Sequence, residues 1–202
     1  MKIYGDVVSP FVRMCLVTAH EAGLKDRVVF VKTSVKPQEV NPDLRRLSPI
    51  AKVPVLETDH GHGVHDSRVI MEYLVHVSGE TDLLPHEGVK RFRILTLQAM
   101  AQGAADAAVS LRYEQAARPE DKRWPELQER QKQRLLDTLD DLEGSWAETL
   151  RETTLGAVST ACMLGYIDFR HAYLNWRTGR PGLSSFEKDF AARASMKAWP
   201  LT

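Results

Sequence analysis

The sequence predicts an α/β domain followed by an all-helical domain, and three observations support this prediction. In the first 77 residues, short strand-like runs alternate with helix-like runs, which is typical of an α/β layer. A break with glycine and acidic residues follows at residues 78–82. Beyond it the chain has a helical composition and spacing. We therefore expect domains at residues 1–77 and 89–202, joined by a linker at 78–88.

The N-terminal domain is predicted to contain four strands and two helices. We expect the strands at residues 2–4, 28–31, 53–56 and 62–65, and the helices at 10–22 and 67–77. Gly23 suits the C-cap of the first helix. The continuous apolar run at residues 28–31 is typical of a strand that is covered on both faces.

Three segments predict the helices of the second domain. The first begins at Val89 and carries apolar or small residues at Phe92, Leu95, Ala99, Met100 and Gly103, followed by small residues at 104–108 that suit close helix contact. The second has residues at spacings of three and four that predict a core-facing stripe, namely Leu135, Leu139, Leu142, Trp146 and Leu150. The third, residues 154–170, is apolar nearly all round, which places it at the centre of a helix bundle.

Composition argues against several classes of function. The 202 residues include 27 basic and 27 acidic side chains, so no basic excess favours a nucleic acid or a membrane surface as partner. No stretch reaches the about 18 apolar residues of a spanning helix, and no signal-like segment follows Met1, so we expect a soluble cytoplasmic protein. Cys15 and Cys162 form no CxxC motif and are expected to be buried thiols.

A serine at the start of the first helix is the first candidate for chemistry. Pro10 suits the first helical position, where its missing N–H would have no partner, so Ser9 is predicted as the N-cap. The positive end of the helix dipole lies behind it, which favours an anion there. Ser9 could equally be an ordinary cap. A second helix start with Asp66 and Ser67 has the same anion-binding character.

These segments resemble the thioredoxin-fold half of the glutathione transferases. The shared motifs are Ser-Pro-Phe-Val-Arg at residues 9–13, Lys-Val-Pro-Val-Leu at 52–56 and Asp-Ser at 66–67. In the helical half, Leu-Gly-Tyr-Ile-Asp-Phe-Arg at 164–170 is similar to small bacterial members of the family. The resemblance covers most of the chain. It implies a thioredoxin-like N-terminal domain, an all-α C-terminal bundle, glutathione as co-substrate and a homodimer.

The resemblance also implies that Ser9 donates a hydrogen bond to the glutathione thiolate. Lowering the pKa of a thiol from about 8.5 to about 6.5 increases the thiolate fraction at pH 7 from roughly 3% to roughly 75%, equivalent to about 2.7 kcal/mol. A charge-assisted hydrogen bond of about 1.5–3 kcal/mol and a helix dipole of up to about 2 kcal/mol can supply this. Because Ser9 is not a cysteine and Val12 leaves no resolving thiol, dithiol redox chemistry is disfavoured.

Five further positions are assigned to glutathione by the resemblance. A cis bond before Pro54, which only an X-Pro bond makes inexpensive, would turn the Val53 backbone toward the cysteinyl part of glutathione. Asp66 would accept from the ammonium of the γ-glutamyl group, while Ser67 and the helix N–H groups would bind its carboxylate. Lys52 could reach the glycyl carboxylate or be a solvated lysine.

Several other residues have two open interpretations. Phe11 and Tyr113 are assigned to the pocket for the second substrate, Phe11 also to the glutathione site, although core packing would explain each equally well. Arg13 either adds positive potential near Ser9 or is an exposed arginine. The residues His60, His62 and His65 are expected to be solvated rather than metal-binding, because no fourth ligand has suitable spacing.

Two classes of function fit this sequence. The first is a glutathione transferase, whose thiolate attacks a small electrophile or reduces a peroxide. The alternative is a non-catalytic binding or regulatory protein that keeps the fold. The enzyme is favoured because a scaffold has no need for the full set of Ser9, Val53, Pro54, Asp66 and Ser67.

One departure from the family pattern concerns stability. The resemblance implies a capping box at the start of the central helix of the second domain, but Ala157 stands three residues after Thr154, where an acid would complete the box. Restoring a bond worth about 1 kcal/mol predicts that Ala157→Asp raises the melting temperature.

Overall fold

The chain folds into two compact units. The computed structural model describes residues 1–35 and 40–202. The first unit consists of Met1–Phe92 together with Ala192–Thr202, and the second of Arg93–Ala191. Residues 192–202, which the sequence assigns to the helical half, therefore pack in the first unit.

A four-stranded mixed sheet forms the centre of the first unit. The strands are β1 (Lys2–Gly5), β2 (Val29–Lys32), β3 (Val55–Glu57) and β4 (Gly63–Val64), in the order β2-β1-β3-β4. Strand β1 is parallel to β2 and antiparallel to β3, and β3 is antiparallel to β4. All four predicted strands are present, with ends that differ by one or two residues.

Three helices accompany the sheet. They are α1 (Pro10–Glu21), α2 (Pro42–Leu47) and α3 (Ser67–Ser78), and α1 packs against α3. Helix α2 is absent from the sequence-based prediction, because six residues are too few for helical periodicity to be recognised. Its start is nevertheless well defined, since the Asn41 side chain accepts hydrogen bonds from the backbone N–H groups of Asp43 and Leu44.

Strand β2 corrects one expectation. The continuous apolar run predicted a strand covered on both faces, but β2 lies at the edge of the sheet and Val29 is 59% exposed. Phe30 is partly covered by Trp199 from the C-terminal segment, with ring centroids 5.3 Å apart and ring planes at 72°. This cover is supplied from the far end of the chain.

The C-terminal segment is held to α1 by polar contacts. A short helix, α8 (Ala194–Lys197), packs against α1. The guanidinium of Arg193 donates two hydrogen bonds to Glu21, and Arg13 Nε donates to the carbonyl oxygen of Trp199 over 2.9 Å. Arg13 is buried, so its interpretation as an exposed arginine is wrong; it binds the C-terminal segment, and its contribution to the positive potential near Ser9 stays a prediction.

Four helices build the second unit. They are α4 (Val89–Ala116), whose first four residues belong to the first unit, α5 (Pro125–Gly144), α6 (Leu155–His171) and α7 (Pro181–Ala191). Helix α6 is buried along almost its whole length, as its composition predicts. The stripe of α5 is buried at Leu135, Leu139 and Leu142, but the helix ends at Gly144, so Trp146 and Leu150 lie beyond it.

The small residues of α4 at 104–108 are largely buried, as predicted, but the face that carries Phe92 is not. Phe92 is 67% exposed, and Ala99 and Gly103 are also exposed. The buried positions include Ile94, Leu97, Ala101, Ala104, Ala108 and Leu111. The prediction failed because apolar and small residues occupy most sides of α4, so spacing alone admits more than one stripe.

The start of α6 changes the prediction for Ala157. Thr154 is the N-cap, and its hydroxyl accepts from the backbone N–H of Ala157 over 3.3 Å. Ala157 itself is fully buried. A carboxylate there would be desolvated, so we now expect Ala157→Asp to lower the melting temperature rather than raise it.

Candidate functional site

The sheet topology brings the three predicted glutathione-binding segments to one end of the strands. Because β1 is antiparallel to β3, with Tyr4 opposite Val55, the end of β1 lies beside the start of β3. Because β4 is also antiparallel to β3, with Val64 opposite Leu56, the end of β4 points the same way. The residues that follow β1, precede β3 and follow β4 therefore lie at the same end of the sheet.

Ser9 follows β1 at the start of α1. It is the N-cap residue by its backbone angles, φ −69° and ψ 124°, and its carbonyl oxygen accepts from the backbone N–H of Arg13. Its hydroxyl makes no capping hydrogen bond. A half-buried hydroxyl at the positive end of a helix dipole thus remains able to donate to an external anion.

The segment before β3 carries Lys52, Val53 and Pro54. The Val53–Pro54 peptide bond is cis, as the resemblance implies. Val53 is partly buried and packs against the small apolar cluster of Leu44, Leu47 and Val55, which fixes its position. Lys52 is exposed, so its side chain is free to move in solvent.

Asp66 and Ser67 follow β4 at the start of α3. Asp66 is the N-cap and accepts from the backbone N–H of Arg68 over 3.0 Å, while the Arg68 guanidinium contacts the second carboxylate oxygen over 3.0 Å. Partial burial raises the pKa of Asp66, but the hydrogen bonds and charge of Arg68 outweigh it, so the pKa is lowered overall. The ionised carboxylate suits an ammonium group. Ser67 is only 4% exposed.

A buried thiol connects α1 to the start of α3. The Cys15 Sγ atom lies 3.7 Å from the carbonyl oxygen of Ser67, within hydrogen-bonding range for sulfur. Cys15 lies six residues after Ser9, about 9 Å along the axis of α1. Both cysteines are buried, as predicted. No local sequence pattern indicates the contact between Cys15 and Ser67, because that contact depends on how the two helices pack.

Tyr4, near the end of β1, carries another hydroxyl, but that hydroxyl already donates a hydrogen bond within the protein. Its hydroxyl donates to Glu57 over 2.6 Å, and this bond raises the pKa of Tyr4. Glu57 also accepts from Arg46 over 3.0 Å, and the pKa of Glu57 is lowered, first by the bond from Tyr4 and then by that from Arg46. Ser9 therefore remains the better candidate for contact with a thiolate.

The remaining candidates lie in separate places. Phe11 is half-buried on α1 in the first unit, and Tyr113 is 47% exposed on α4 in the second unit. Their assignment to one substrate pocket stays a prediction. His60 and His62 are exposed. Within residues 1–35 and 40–202, no group of three or more His, Cys, Asp or Glu side chains is arranged to hold a metal ion.

None of the helices in the described part of the chain combines the length and the apolar character needed to cross a membrane.

Known proteins similar to this chain provide an independent comparison. The family model "Glutathione S-transferase, N-terminal domain" matches residues 8–77. The uncharacterized GST-like protein YibF of Escherichia coli (strain K12) is 31% identical over 198 residues, covering 96% of each chain.

Solved structures extend the similarity to the three-dimensional fold. A glutathione transferase family member from Pseudomonas fluorescens Pf-5, solved with bound glutathione, is 35% identical with a TM-score of 0.95 and covers 99% of each chain. A glutathione S-transferase from Methylobacillus flagellatus KT, also with glutathione bound, is 27% identical with a TM-score of 0.87, covering 100% of this chain and 99% of that one. The fold is thus a thioredoxin-like unit combined with a helical unit, and the chain belongs to the glutathione S-transferase family.

Proposed function

We propose that the protein is a glutathione transferase that binds glutathione in its first unit and activates the thiol through Ser9. The observation that carries this proposal is the Ser9 hydroxyl, which occupies the N-cap of α1 without making a capping bond. The Val53 backbone and the helix start at Asp66–Ser67 lie at the same end of the sheet as Ser9. Structures of two relatives with glutathione bound support the choice of ligand.

In this proposal each segment has a distinct role. The Ser9 hydroxyl and the dipole of α1 stabilise the thiolate, while Val53 pairs with the cysteinyl backbone. Asp66 accepts from the γ-glutamyl ammonium, and Ser67 with the first N–H groups of α3 holds the adjacent carboxylate. Lys52 attracts the glycyl carboxylate. Phe11 contributes to the glutathione site, and Tyr113 is the candidate of the second unit for contact with the second substrate.

The reaction is attack of the thiolate on a small electrophile. The sulfur electron pair forms a C–S bond, and either a leaving group departs with its bonding pair or a proton is taken up at the neighbouring carbon. A Pseudomonas fluorescens Pf-5 relative was solved with S-(propanoic acid)-glutathione, a thioether at the glutathione sulfur. Peroxide reduction is the second possible use of the thiolate, with a second glutathione completing the disulfide.

A homodimer and a cytoplasmic location complete the proposal. The large apolar side chains that the first unit exposes include Val69 on α3 and Val89 and Phe92 at the start of α4. A second copy of the chain would remove this apolar surface from water.

The first experiment is isothermal titration of glutathione into the wild type and into an Asp66→Ala, Ser67→Ala double variant. We expect the wild type to bind and the double variant to lose binding. A wild type that does not bind glutathione would contradict the proposal and favour the non-catalytic alternative.

The second experiment measures the thiolate directly. The ultraviolet absorbance of bound glutathione, followed against pH, gives the pKa of its thiol in the complex. We expect a value below the ordinary value of about 8.5 in the wild type and a return toward it in Ser9→Ala. Ser110→Ala is the matched control, because it removes an exposed hydroxyl on α4. It should leave the pKa of the bound glutathione thiol at its wild-type value. An unchanged pKa in Ser9→Ala would remove Ser9 from the mechanism.

A further inference from the structure

Ala51 has an unusual backbone conformation directly before the segment that is assigned to glutathione. Its φ is 51°, in the left-handed region, a property that it shares with Asn175 among the non-glycine residues of the described ranges 1–35 and 40–202. The left-handed conformation brings Cβ close to the following carbonyl oxygen, so glycine and, less often, asparagine or aspartate adopt it routinely. Alanine has no side-chain hydrogen bond to offset this cost. The surroundings of Ala51 must therefore hold it in place.

A tight turn connects Ala51 to the end of α2. The backbone N–H of Ser48 donates to the carbonyl oxygen of Leu44 over 2.8 Å, and the N–H of Ala51 donates to the carbonyl oxygen of Ser48 over 3.0 Å. The two residues between Ser48 and Ala51 form the centre of a β-turn. A rotation about the backbone of Ala51 would therefore move Lys52–Pro54 relative to α2.

The side chain of Ala51 has a packing partner on the sheet side of this turn. Ala51 is partly buried and packs against the apolar cluster of Leu44, Leu47 and Val55, and Val53 packs against the same cluster. The alanine side chain is a single methyl group, so this contact depends on a Cβ atom that glycine lacks. The methyl group thus fixes the turn two residues before Val53.

Polar contacts hold the two sides of the cluster together. The guanidinium of Arg46 on α2 donates to Glu57 on β3 over 3.0 Å, and the Tyr4 hydroxyl donates to the other carboxylate oxygen of Glu57 over 2.6 Å. Tyr4 also packs against the cluster. Because the cluster combines residues of α2 and β3, these contacts give Ala51 a fixed surface to pack on.

We propose that Ala51 is a positioning residue, whose methyl group and left-handed conformation hold the Val53 backbone ready to pair with the cysteinyl part of glutathione. Alanine has far fewer allowed backbone conformations than glycine, so the Lys52–Pro54 segment loses less freedom when the ligand binds. Backbone strain of this kind persists where the surroundings support it, and here it prepares the segment for binding. This inference rests on the proposed function and deepens it, because it assigns the orientation of Val53 to a residue outside the assigned glutathione contacts.

Ala51→Gly tests the proposal, because glycine adopts the same φ without the methyl group. We expect the dissociation constant for glutathione, measured by isothermal titration, to rise about two- to fivefold. The pKa of the bound glutathione thiol should rise toward its ordinary value, because the sulfur is held less closely beside Ser9. Thermal unfolding should show no matching loss of stability, since glycine removes the cost of the left-handed conformation.

Nuclear magnetic resonance measures the restriction of the segment without any ligand. We expect the backbone amide order parameters of Lys52 and Val53 to be lower in Ala51→Gly than in the wild type. Order parameters that do not change would overturn the proposal, because the methyl group would then not restrict the segment.

Two further variants separate positioning from a general effect on the fold. Ala51→Ser keeps a Cβ atom and should hold both the dissociation constant and the thiol pKa near their wild-type values. Asn175→Gly also replaces a left-handed residue by glycine, but in the second unit, and should leave both quantities unchanged.

Failure of this inference and failure of the proposed function give different results. Equal glutathione affinity and thiol pKa in Ala51→Gly and the wild type would overturn this inference and leave the proposed function intact. A loss of affinity that Ala51→Ser shares would also overturn it, because the Cβ atom would then not be responsible. A wild type that binds no glutathione would instead contradict the proposed function itself, and this inference with it.

Discussion

Arg193 and Glu21 are joined side by side, the guanidinium donating from Nε over 2.8 Å and from Nη2 over 2.6 Å to the two carboxylate oxygens. They are separated by 172 positions in the chain. The Ser195 hydroxyl donates to the same carboxylate. Burial raises the pKa of Glu21, but Arg193 and Ser195 lower it by more, so the carboxylate is ionised and fully paired.

Breaking this pair should loosen the C-terminal segment. We expect Glu21→Gln to lower the free energy of unfolding by about 1–3 kcal/mol, because charge-assisted bonds to a partly buried group are lost. Chemical denaturation measures the change. Glu148→Gln is the matched control, since its pair with Arg151 is exposed on both sides and should contribute about 1 kcal/mol or less. Equal effects of the two substitutions would contradict this account.

Replacing Gly156 or Gly103 by alanine should change the stability of the protein in opposite directions. A Cβ atom at Gly156 on α6 would lie 2.8 Å from the side chain of Leu97 on α4, so Gly156→Ala should destabilise by about 1–3 kcal/mol. At Gly103 on α4, an added Cβ meets nothing within 4 Å. Gly103→Ala should therefore stabilise the helix by about 0.5–1 kcal/mol. Thermal unfolding of both variants checks the signs.

Glu143 should stabilise the start of α7. Its two carboxylate oxygens accept from the backbone N–H groups of Gly182 and Leu183 over 2.9 and 2.6 Å. These are N–H groups of the first turn, which have no partner within the helix. We expect Glu143→Ala to cost about 0.5–2 kcal/mol, with faster amide exchange at the start of α7. Glu126→Ala, an exposed carboxylate of α5, should leave that exchange unchanged.

The buried His171 side chain should make the stability of the protein depend on pH. Burial lowers its pKa, against the opposing effect of its bond to Ala108, so the folded protein holds this ring neutral. Below about pH 6.5 the unfolded chain binds a proton that the folded chain does not, and stability falls as the pH decreases toward the folded pKa. The limit is about 1.4 kcal/mol per pH unit.

The measurement compares slopes rather than absolute stabilities. Denaturation between pH 7 and 5 should show a smaller loss of stability per pH unit in His171→Gln than in the wild type. His60→Gln, which removes an exposed histidine, is the matched control and should keep the wild-type slope. A slope unaffected by His171→Gln would show that other groups determine the acid sensitivity.

Local sequence patterns predicted most of the elements because each depends on neighbours in the chain. The four strands, α1, α3 and the buried α6 follow from alternation, periodicity and composition. Two helices were harder to predict from the sequence. Helix α2 is too short to show a period, and α4 has apolar residues on more than one face, so its buried stripe required the packed structure.

The candidate site was predictable in position but not in detail. The start of α1 follows from Ser9 and Pro10, whereas the unused capping capacity of the Ser9 hydroxyl appears only in three dimensions. The role of Arg13 on Trp199 and the contact of Cys15 with Ser67 join distant positions, and no local pattern encodes them.

The C-terminal segment has a consequence for biosynthesis. Residues 93–191 leave the ribosome before residues 192–202, which carry Arg193 and Trp199. Until those last residues emerge, Arg13 lacks its acceptor, Glu21 lacks its guanidinium and Phe30 lacks its aromatic neighbour. The unit whose strands are synthesised first is therefore the unit that is completed last.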